Sequence, residues 1–202
     1  MAMSPQRRRL LERVARGLAE RAAQAQILRV AIDGPDAAGK TKFSWDLDGL
    51  LHPLLREGAE LRRFSADDLL LPPVLRRAPD PRWVYEHAYP IGRLRQIIVG
   101  DPQHERPGTV LLVDGMSLLR PELEELWDVT VYLSVSESVT MERVLARVDE
   151  DDDRDEVEAR YRERYLPALE LYRKIADPLG RADIVIDMTD VLDPRIERWS
   201  GL

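Results

Sequence analysis

The stretch GPDAAGKT, residues 34–41, decides the fold of this chain. It matches the phosphate-binding pattern G-x-x-x-x-G-K-[ST]. Residues 27–32 before it are short, apolar and rich in β-branched side chains, which predicts a buried strand. Apolar residues recur at helical spacing after it, and these are Phe43, Leu47, Leu50, Leu51 and Leu54. Strand, glycine loop and helix together aim backbone N–H groups and a helix N-terminus at one anion, which predicts a nucleoside triphosphate site.

The loop residues have distinct chemical tasks. Gly34 and Gly39 stand where the backbone must approach phosphate or adopt a positive φ. Lys40 adds a positive charge that we also expect to act in catalysis, and the Thr41 hydroxyl can bind magnesium. Asp33 could order the loop by hydrogen bonds or simply cap the strand. We expect the nucleotide to contact Gly34, Asp36, Ala37, Ala38, Gly39, Lys40, Thr41 and Lys42. A chance match is the alternative, and correct flanks on both sides argue against it.

Length and composition limit the classes of protein that remain. The chain has 202 residues, 44% of them apolar and 33% charged, which predicts one globular domain over residues 1–202. The lack of cysteine excludes disulfides, thiol catalysis and cysteine-ligated zinc. A net charge of -7 argues against nucleic-acid binding. No apolar run approaches the roughly 18 residues of a membrane span, so we expect a cytoplasmic protein. Its expected partner is a small-molecule acceptor, and homo-oligomerisation is left open.

Strand-like and helix-like segments alternate along the chain. Strands are predicted at residues 27–32, 60–66, 109–113, 129–135 and 184–186. Helices are predicted at residues 7–23, from the glycine loop to Gly58, from Pro90 onward, and at residues 122–127, 137–148 and 157–175, the last interrupted near Pro167. Proline-rich residues 72–81 are predicted as a loop. The alternation predicts a three-layer α/β/α sandwich with a central parallel sheet.

Two carboxylates follow predicted strands at the edge where ligands bind in such sheets. Asp67 ends the strand that we expect beside the phosphate-loop strand, where it could accept the proton of an attacking hydroxyl. The neighbouring Asp68 is expected to cap the next turn. Asp114 ends another apolar strand and could hold a metal ion together with Thr41, although Asp-Gly sequences also end strands simply to make turns.

Arginines follow the fourth predicted strand and indicate a small lid over residues 147–160. Arg143 and Arg147 share one helix face, so we expect Arg143 to contact the nucleotide and Arg147 to act in catalysis. Arg154 is a candidate substrate contact. The next three arginines are expected to form surface ion pairs, and these are Arg160, Arg162 and Arg164. Residues 149–156 hold seven carboxylates and one arginine, a charge that should repel a triphosphate.

Aromatic side chains cluster between Asp67 and the third strand. Tyr85, His87 and Tyr89 follow Trp83 in what we expect to be a loop near the catalytic edge. They could stack against the planar ring of a substrate, and core packing is an equal alternative for each. His87 alone cannot build a metal site, because no other histidine or cysteine stands at ligand spacing.

Several motifs in combination resemble the uridine kinase family of P-loop nucleoside and nucleotide kinases, over about residues 28–189. The matching segments are VAIDGPDAAGKT, FSADDL, YEHAYPIGRL, VLLVDG, RVLAR and RADIVIDM. The resemblance implies the nucleoside/nucleotide-kinase fold with a lid, and Asp67 as general base. Departures lie at Tyr89-Pro90, where the family often has Phe-Asp, and at Asp114, where it usually has glutamate.

The resemblance implies ATP-dependent phosphorylation of a primary hydroxyl, such as the 5′-hydroxyl of uridine or cytidine, with Mg²⁺. A kinase for a non-nucleoside metabolite would fit the same scaffold. The altered substrate segment and the acidic lid also suit a non-catalytic nucleotide-binding protein. A motor or switch-type NTPase is disfavoured, because the chain is short and lacks repeats or a long coiled segment.

Overall fold

A single sheet carries the six strands of the computed structural model, which describes residues 3–71, 80–101, 105–149 and 152–200. The strands are β1 (Ile27–Asp33), β2 (Leu61–Ser65), β3 (Thr109–Gly115), β4 (Val129–Ser134), β5 (Ile184–Asp187) and β6 (Arg195–Trp199). Their order is β2-β3-β1-β4-β5-β6. Neighbours from β2 to β5 run parallel, and β6 is antiparallel to β5.

Helices connect the strands. They are α1 (Pro5–Ala22), α2 (Lys40–Leu51), α3 (Pro81–His87), α4 (Ile91–Val99), α5 (Glu137–Leu145), α6 (Arg154–Arg160), α7 (Leu166–Ala176) and α8 (Pro178–Arg181). Short 3₁₀ segments lie at His52–Leu54, Ala66–Leu69 and Pro121–Leu126, and a π-helical segment at Tyr161–Tyr165 joins α6 to α7. No helix within the described ranges is long and apolar enough to cross a membrane.

Both faces of the sheet are covered. Side chains on β1 alternate, so Val30 and Ile32 pack in a core with α1 and α2, whereas Ala31 belongs to a second core with α3, α4 and α7. Leu18 of α1 and Tyr172 of α7 are buried on the two sides. The predicted three-layer α/β/α sandwich is therefore confirmed.

Local capping signals explain where helices begin. Ser4 accepts a hydrogen bond from the Arg7 N–H at 3.1 Å at the start of α1, and Asp80 accepts one from the Arg82 N–H at 2.9 Å at the start of α3. Pro81 is the first residue of α3, a position that suits proline. The loop expected around Trp83 is therefore wrong, since this segment is helical. The rest of the predicted proline-rich loop, residues 72–79, lies outside the described residues.

The strand order corrects one prediction about the site. β2 pairs with β3, which separates it from β1, so Asp67 does not follow a strand beside the phosphate loop. Asp114, at the end of β3, is the carboxylate next to β1. The sheet also gains β6, which the sequence analysis missed.

The helices after β4 differ in extent from the prediction. α5 ends at Leu145, and α6 begins at Arg154, so residues 154–156 of the expected acidic loop are helical. The predicted interruption near Pro167 corresponds to the π-helical segment just before α7.

The phosphate loop lies at the point where the strand order of the sheet reverses. Parallel neighbours β3 and β4 flank β1 on opposite sides. The connection after β1 leads to β2 on one side of β1, and the connection after β3 leads to β4 on the other side. This reversal opens a crevice at the carboxyl end of β1. Residues 34–39 line that crevice.

Candidate active site

Steric constraints shape the phosphate loop between β1 and α2. Gly34 has a φ of 154°, and a Cβ atom there would lie 2.5 Å from the Leu133 carbonyl oxygen of β4. Gly39 has a φ of 89° and precedes the first residue of α2. Ala37 also has a positive φ, of 56°. The backbone therefore turns tightly and passes directly against β4, which needs glycine at position 34.

The N-terminus of α2, like those of α4 and α7, lacks the side-chain cap that several other helices have. Ser4, Asp80, Ser136 and Asp153 cap α1, α3, α5 and α6. Gly39 provides no such cap for α2, whose first N–H groups have no acceptor within the helix. The buried Lys40 begins α2, and its Nζ donates to the Pro35 carbonyl at 2.9 Å. This end of α2 thus presents backbone donors and an ammonium group suited to an anion.

A fully buried carboxylate anchors the start of the loop. Asp33 accepts hydrogen bonds from the N–H groups of Gly34 at 2.6 Å and Leu119 at 3.0 Å, and from the Tyr172 hydroxyl. Burial raises the pKa of Asp33, and these donors oppose the rise. Asp33 therefore orders the loop and ties it to α7, a link across 139 residues that no local sequence signal indicates.

A hydroxyl–carboxylate cluster joins α2 to β3. The Thr41 Oγ1 donates to Asp114 Oδ2 at 3.0 Å, and the Ser65 hydroxyl donates to the same oxygen at 3.3 Å. Burial raises the pKa of Asp114, and the negative charge of Asp67 adds to the rise. These are the oxygen ligands that Mg²⁺ prefers.

Protein carboxylates alone could not enclose a metal ion here. Within the described part of the chain, no three histidine, cysteine, aspartate or glutamate side chains group at metal-binding distance. Thr41 and Asp114 fit the usual magnesium arrangement, in which one or two protein ligands act together with substrate phosphates.

Asp67 lies in the 3₁₀ turn after β2. Its Oδ1 accepts a hydrogen bond from the Tyr89 hydroxyl at 2.6 Å, and that hydroxyl oxygen accepts one from the Met116 N–H at 3.2 Å. The pKa of Tyr89 stands well above its usual value because the side chain is buried and because Asp67 is negatively charged. The tyrosine thus stays protonated and holds the orientation of Asp67.

An apolar cavity of about 60 Å³ lies between α3, the π-helical segment and the phosphate loop. We call it the tyrosine cavity. It is lined by Asp36, Val84, Tyr85, Ala88, Tyr89, Met116, Ser117, Thr140, Tyr161, Tyr165, Leu166, Ala168 and Leu169. The Tyr161 hydroxyl donates to Asp36 Oδ2 at 2.9 Å, which connects the π-helical segment to the phosphate loop.

The structure brings two of the three predicted aromatic contacts to the cavity. Tyr85 and Tyr89 line it, whereas His87 is exposed and stacks on Trp83 with 4.9 Å between ring centroids. Nothing in this geometry supports a substrate contact by His87. The sequence analysis did not include Tyr161 and Tyr165, four residues apart, because it assigned the neighbouring arginines of this segment to surface ion pairs.

A second cavity, of about 420 Å³, opens on the other side of the phosphate loop. Lys42, Arg143 and Arg147 line it, together with Ala37 and Gly39 of the loop. We call it the arginine cavity. Four predicted nucleotide contacts line it, two of them cationic (Lys42 and Arg143), and the catalytic candidate Arg147 lies there as well, so positive charge adjoins the anion site.

The candidate arginines differ in their contacts. Arg143 donates to the carbonyls of Ala37 at 3.3 Å and Met188 at 2.8 Å, and burial together with Arg147 lowers its pKa. Arg154 is exposed, donates to the Leu145 carbonyl at 3.4 Å and lines neither cavity. The predicted substrate contact by Arg154 therefore has no support in this geometry.

Comparisons with known proteins concern the fold. A possible uridine kinase from Bacillus stearothermophilus matches with a TM-score of 0.59 and 19% identity, over 84% of this chain and 97% of its own. A protein provisionally assigned as a fructose transport system kinase from Silicibacter sp. TM1040 matches with a TM-score of 0.64 and 20% identity, over 82% and 95%. The YGR205w protein matches with a TM-score of 0.58 and 11% identity, over 93% and 95%. The fold is that of the P-loop kinases.

The P-loop kinase fold agrees with the resemblance read from the motifs. No protein-family model matches the chain, and no curated protein matches it significantly. At 11–20% identity the likeness to the solved structures is one of fold.

Proposed function

We propose that this chain is a magnesium- and ATP-dependent kinase that phosphorylates a primary hydroxyl of a small molecule. One observation carries the proposal. The phosphate loop, the Thr41–Asp114 pair and Asp67 meet at one edge of the sheet, and the tyrosine cavity opens beside them. A phosphate site, a metal-ligand pair and a carboxylate next to a binding cavity are the parts that phosphoryl transfer needs.

The donor nucleotide would bind along the phosphate loop. Backbone N–H groups at the start of α2 and the Lys40 ammonium would hold its phosphates. The ribose and base would extend toward the arginine cavity, where Arg143 and Arg147 supply positive charge. Thr41 and Asp114 would hold magnesium, which when bound neutralises charge on the phosphates and orients them.

The acceptor hydroxyl would attack from the side of Asp67. Its oxygen forms a bond to the γ-phosphorus as the bond from that phosphorus to the β–γ bridging oxygen breaks, which releases ADP. Asp67 accepts the hydroxyl proton, and Tyr89 keeps the carboxylate oriented through its 2.6 Å hydrogen bond. Arg147, which lines the arginine cavity in this structure, would have to reach across to the γ-phosphate to neutralise the transferring group.

Two classes of acceptor follow from the sequence. The resemblance to uridine kinases makes uridine and cytidine the first candidates. The volume of the tyrosine cavity is about 60 Å³ on a measure on which one water needs about 10–15 Å³, so the cavity has room for a few water-sized groups, which favours the alternative of a smaller, non-nucleoside metabolite.

An acceptor screen tests the proposal. Purified protein is incubated with ATP and Mg²⁺, and ADP release is measured against nucleosides, sugars, vitamins and amino alcohols. We expect release that depends on one class of acceptor and on magnesium. ATP binding without acceptor-dependent release across the whole screen would instead identify a non-catalytic nucleotide-binding protein.

A further inference from the structure

The charged side chains that line the tyrosine cavity are of one sign, although the guanidinium of Arg120 lies over the ring of the wall residue Tyr85, 4.5 Å from its centroid. Among its lining residues, which all belong to the described part of the chain, there is no lysine, arginine or histidine, and Asp36 is the charged one. A second carboxylate, Asp67, bonds to the hydroxyl of Tyr89 in the cavity wall. An anionic acceptor would therefore lose its hydration without meeting a cation among the lining residues.

Four tyrosines dominate the wall. Tyr161 and Tyr165 meet edge to face with 5.0 Å between ring centroids, and Tyr85 and Tyr89 complete the set, Tyr85 with Arg120 already over its ring. Faces of aromatic rings attract cations, and groups of such rings recognise quaternary ammonium ions. Rings and carboxylates of this kind suit a positively charged ligand.

One polar group in the wall lacks a partner. Thr140 on α5 is 2% exposed, and its Oγ1 makes no hydrogen bond with any described residue. Buried polar groups are normally paired, so this oxygen offers a hydrogen bond to a ligand in the cavity. The wall thus combines an apolar surface with one free polar contact.

The acidic segment, described at residue 149 and residues 152–156, would repel a triphosphate. It leads directly through α6 into the π-helical segment that carries Tyr161 and Tyr165. The exposed Asp152 and Asp155 form no ion pair with the described residues. Their field repels phosphate, and it raises the local concentration of a cation.

We infer that the phosphoryl acceptor is a compact cationic alcohol, with a primary hydroxyl on a short chain that ends in an ammonium group. The ammonium lies among the tyrosine rings near Asp36, and the hydroxyl points toward Asp67. This inference rests on the proposed kinase function for its chemistry. The transfer step is unchanged: the hydroxyl proton passes to Asp67 and ADP leaves.

A matched pair of ligands isolates the charge. Choline and 3,3-dimethylbutan-1-ol share a shape and a primary hydroxyl, and only choline is cationic. Calorimetry with wild-type protein measures the binding of both, with and without magnesium and a non-hydrolysable ATP analogue. We expect choline to bind at least about tenfold more tightly, which corresponds to about 1.4 kcal/mol. Equal affinities, tighter binding of the neutral alcohol, or no binding of either would overturn the inference.

Two variants locate the effect. Tyr165→Phe keeps the aromatic ring and should retain the preference for choline, whereas Tyr165→Leu should lose most of it. Unchanged affinity for the ATP analogue shows that both variants are folded. A preference for choline that survives in Tyr165→Leu would place the cation elsewhere and refute its binding among the tyrosine rings.

The same experiment separates this inference from the proposed function. Analogue that binds with magnesium, combined with no preference for charge, overturns the cationic acceptor and leaves the kinase proposal standing. A protein that fails to bind the analogue contradicts the kinase proposal. The affinities for choline and for the neutral alcohol without nucleotide would still test whether the tyrosine cavity prefers a cation.

Discussion

Replacing Tyr172 with phenylalanine removes one hydrogen bond from the buried anchor of the phosphate loop. The ring is 1% exposed and its packing is kept, while Asp33 retains the N–H donors of Gly34 and Leu119. A hydrogen bond to a charged group contributes about 1.5–3 kcal/mol. We expect Tyr172→Phe to lower the free energy of unfolding by that amount near neutral pH, a drop in Tm of about 2–4 °C per kcal/mol for a chain of this size.

The loss of stability should depend on pH. Burial raises the pKa of Asp33 above 3.8, and the Tyr172 hydroxyl opposes that rise, so the substitution raises the pKa further. A carboxyl with a raised pKa binds protons more readily in the folded state, so its contribution to stability falls as pH rises through the folded pKa. The difference in the free energy of unfolding between wild type and Tyr172→Phe therefore reaches its full value at pH above both folded pKa values. It becomes smaller as the pH falls below them.

Urea unfolding at a series of pH values, from about 8 downward, measures this difference. Tyr132→Phe is the matched control, because Tyr132 is fully buried and its hydroxyl lacks a hydrogen-bond partner among the described residues. Burial and the negative charge of Asp33 raise the pKa of Tyr132, and Arg173 opposes that rise from outside hydrogen-bond geometry. The control should change stability little. Equal stability of Tyr172→Phe and wild type, or a loss that is the same at every pH, would refute the reasoning.

Two further substitutions test the loop and the metal ligands. Gly34→Ala should cost about 2–4 kcal/mol and abolish ATP binding, because the added Cβ would lie 2.5 Å from the Leu133 carbonyl oxygen. Gly49→Ala, at an exposed site of α2 where a Cβ meets nothing within 4 Å, should instead stabilise by about 0.5–1 kcal/mol, and urea titrations that rank the two alike would contradict this account. Asp114→Asn should raise the Mg²⁺ concentration needed for half-maximal ATP binding by about 10–100-fold, and a midpoint that does not move would exclude Asp114 from metal binding.

The sequence predicts best where the constraints are local. β1, the phosphate loop and α2 follow from one motif with its flanks, and the confirmed layers follow from the alternation of segments. α3 carried a readable signal as well, since Asp80 and Pro81 form a helix start, but the surrounding prolines suggested a loop. β6 was missed because it is a short edge strand in which mostly exposed charged residues surround Ile196.

Contacts between distant segments could not be read from the sequence. Which strand lies beside β1 depends on the crossover topology, so the neighbour expected for Asp67 was wrong. Tyr172 meets Asp33 across 139 residues, and Tyr161 meets Asp36 across 125. Such pairs arise from packing, and no spacing rule in a single sequence encodes them. The roles assigned to Asp67, Arg147 and the loop residues stay predictions until activity is measured.

One labelling experiment addresses the central claim most directly. ATP that carries label in its γ-phosphate is mixed with Mg²⁺, protein and the acceptor found in the screen, and the label is followed in wild type and in Asp67→Asn. We expect wild type to move the label onto the acceptor, and the variant to bind ATP normally while transfer falls by about 10²–10⁴-fold. Label that stays on ATP or appears only as free phosphate with wild type, or transfer at the same rate in Asp67→Asn, would contradict the account.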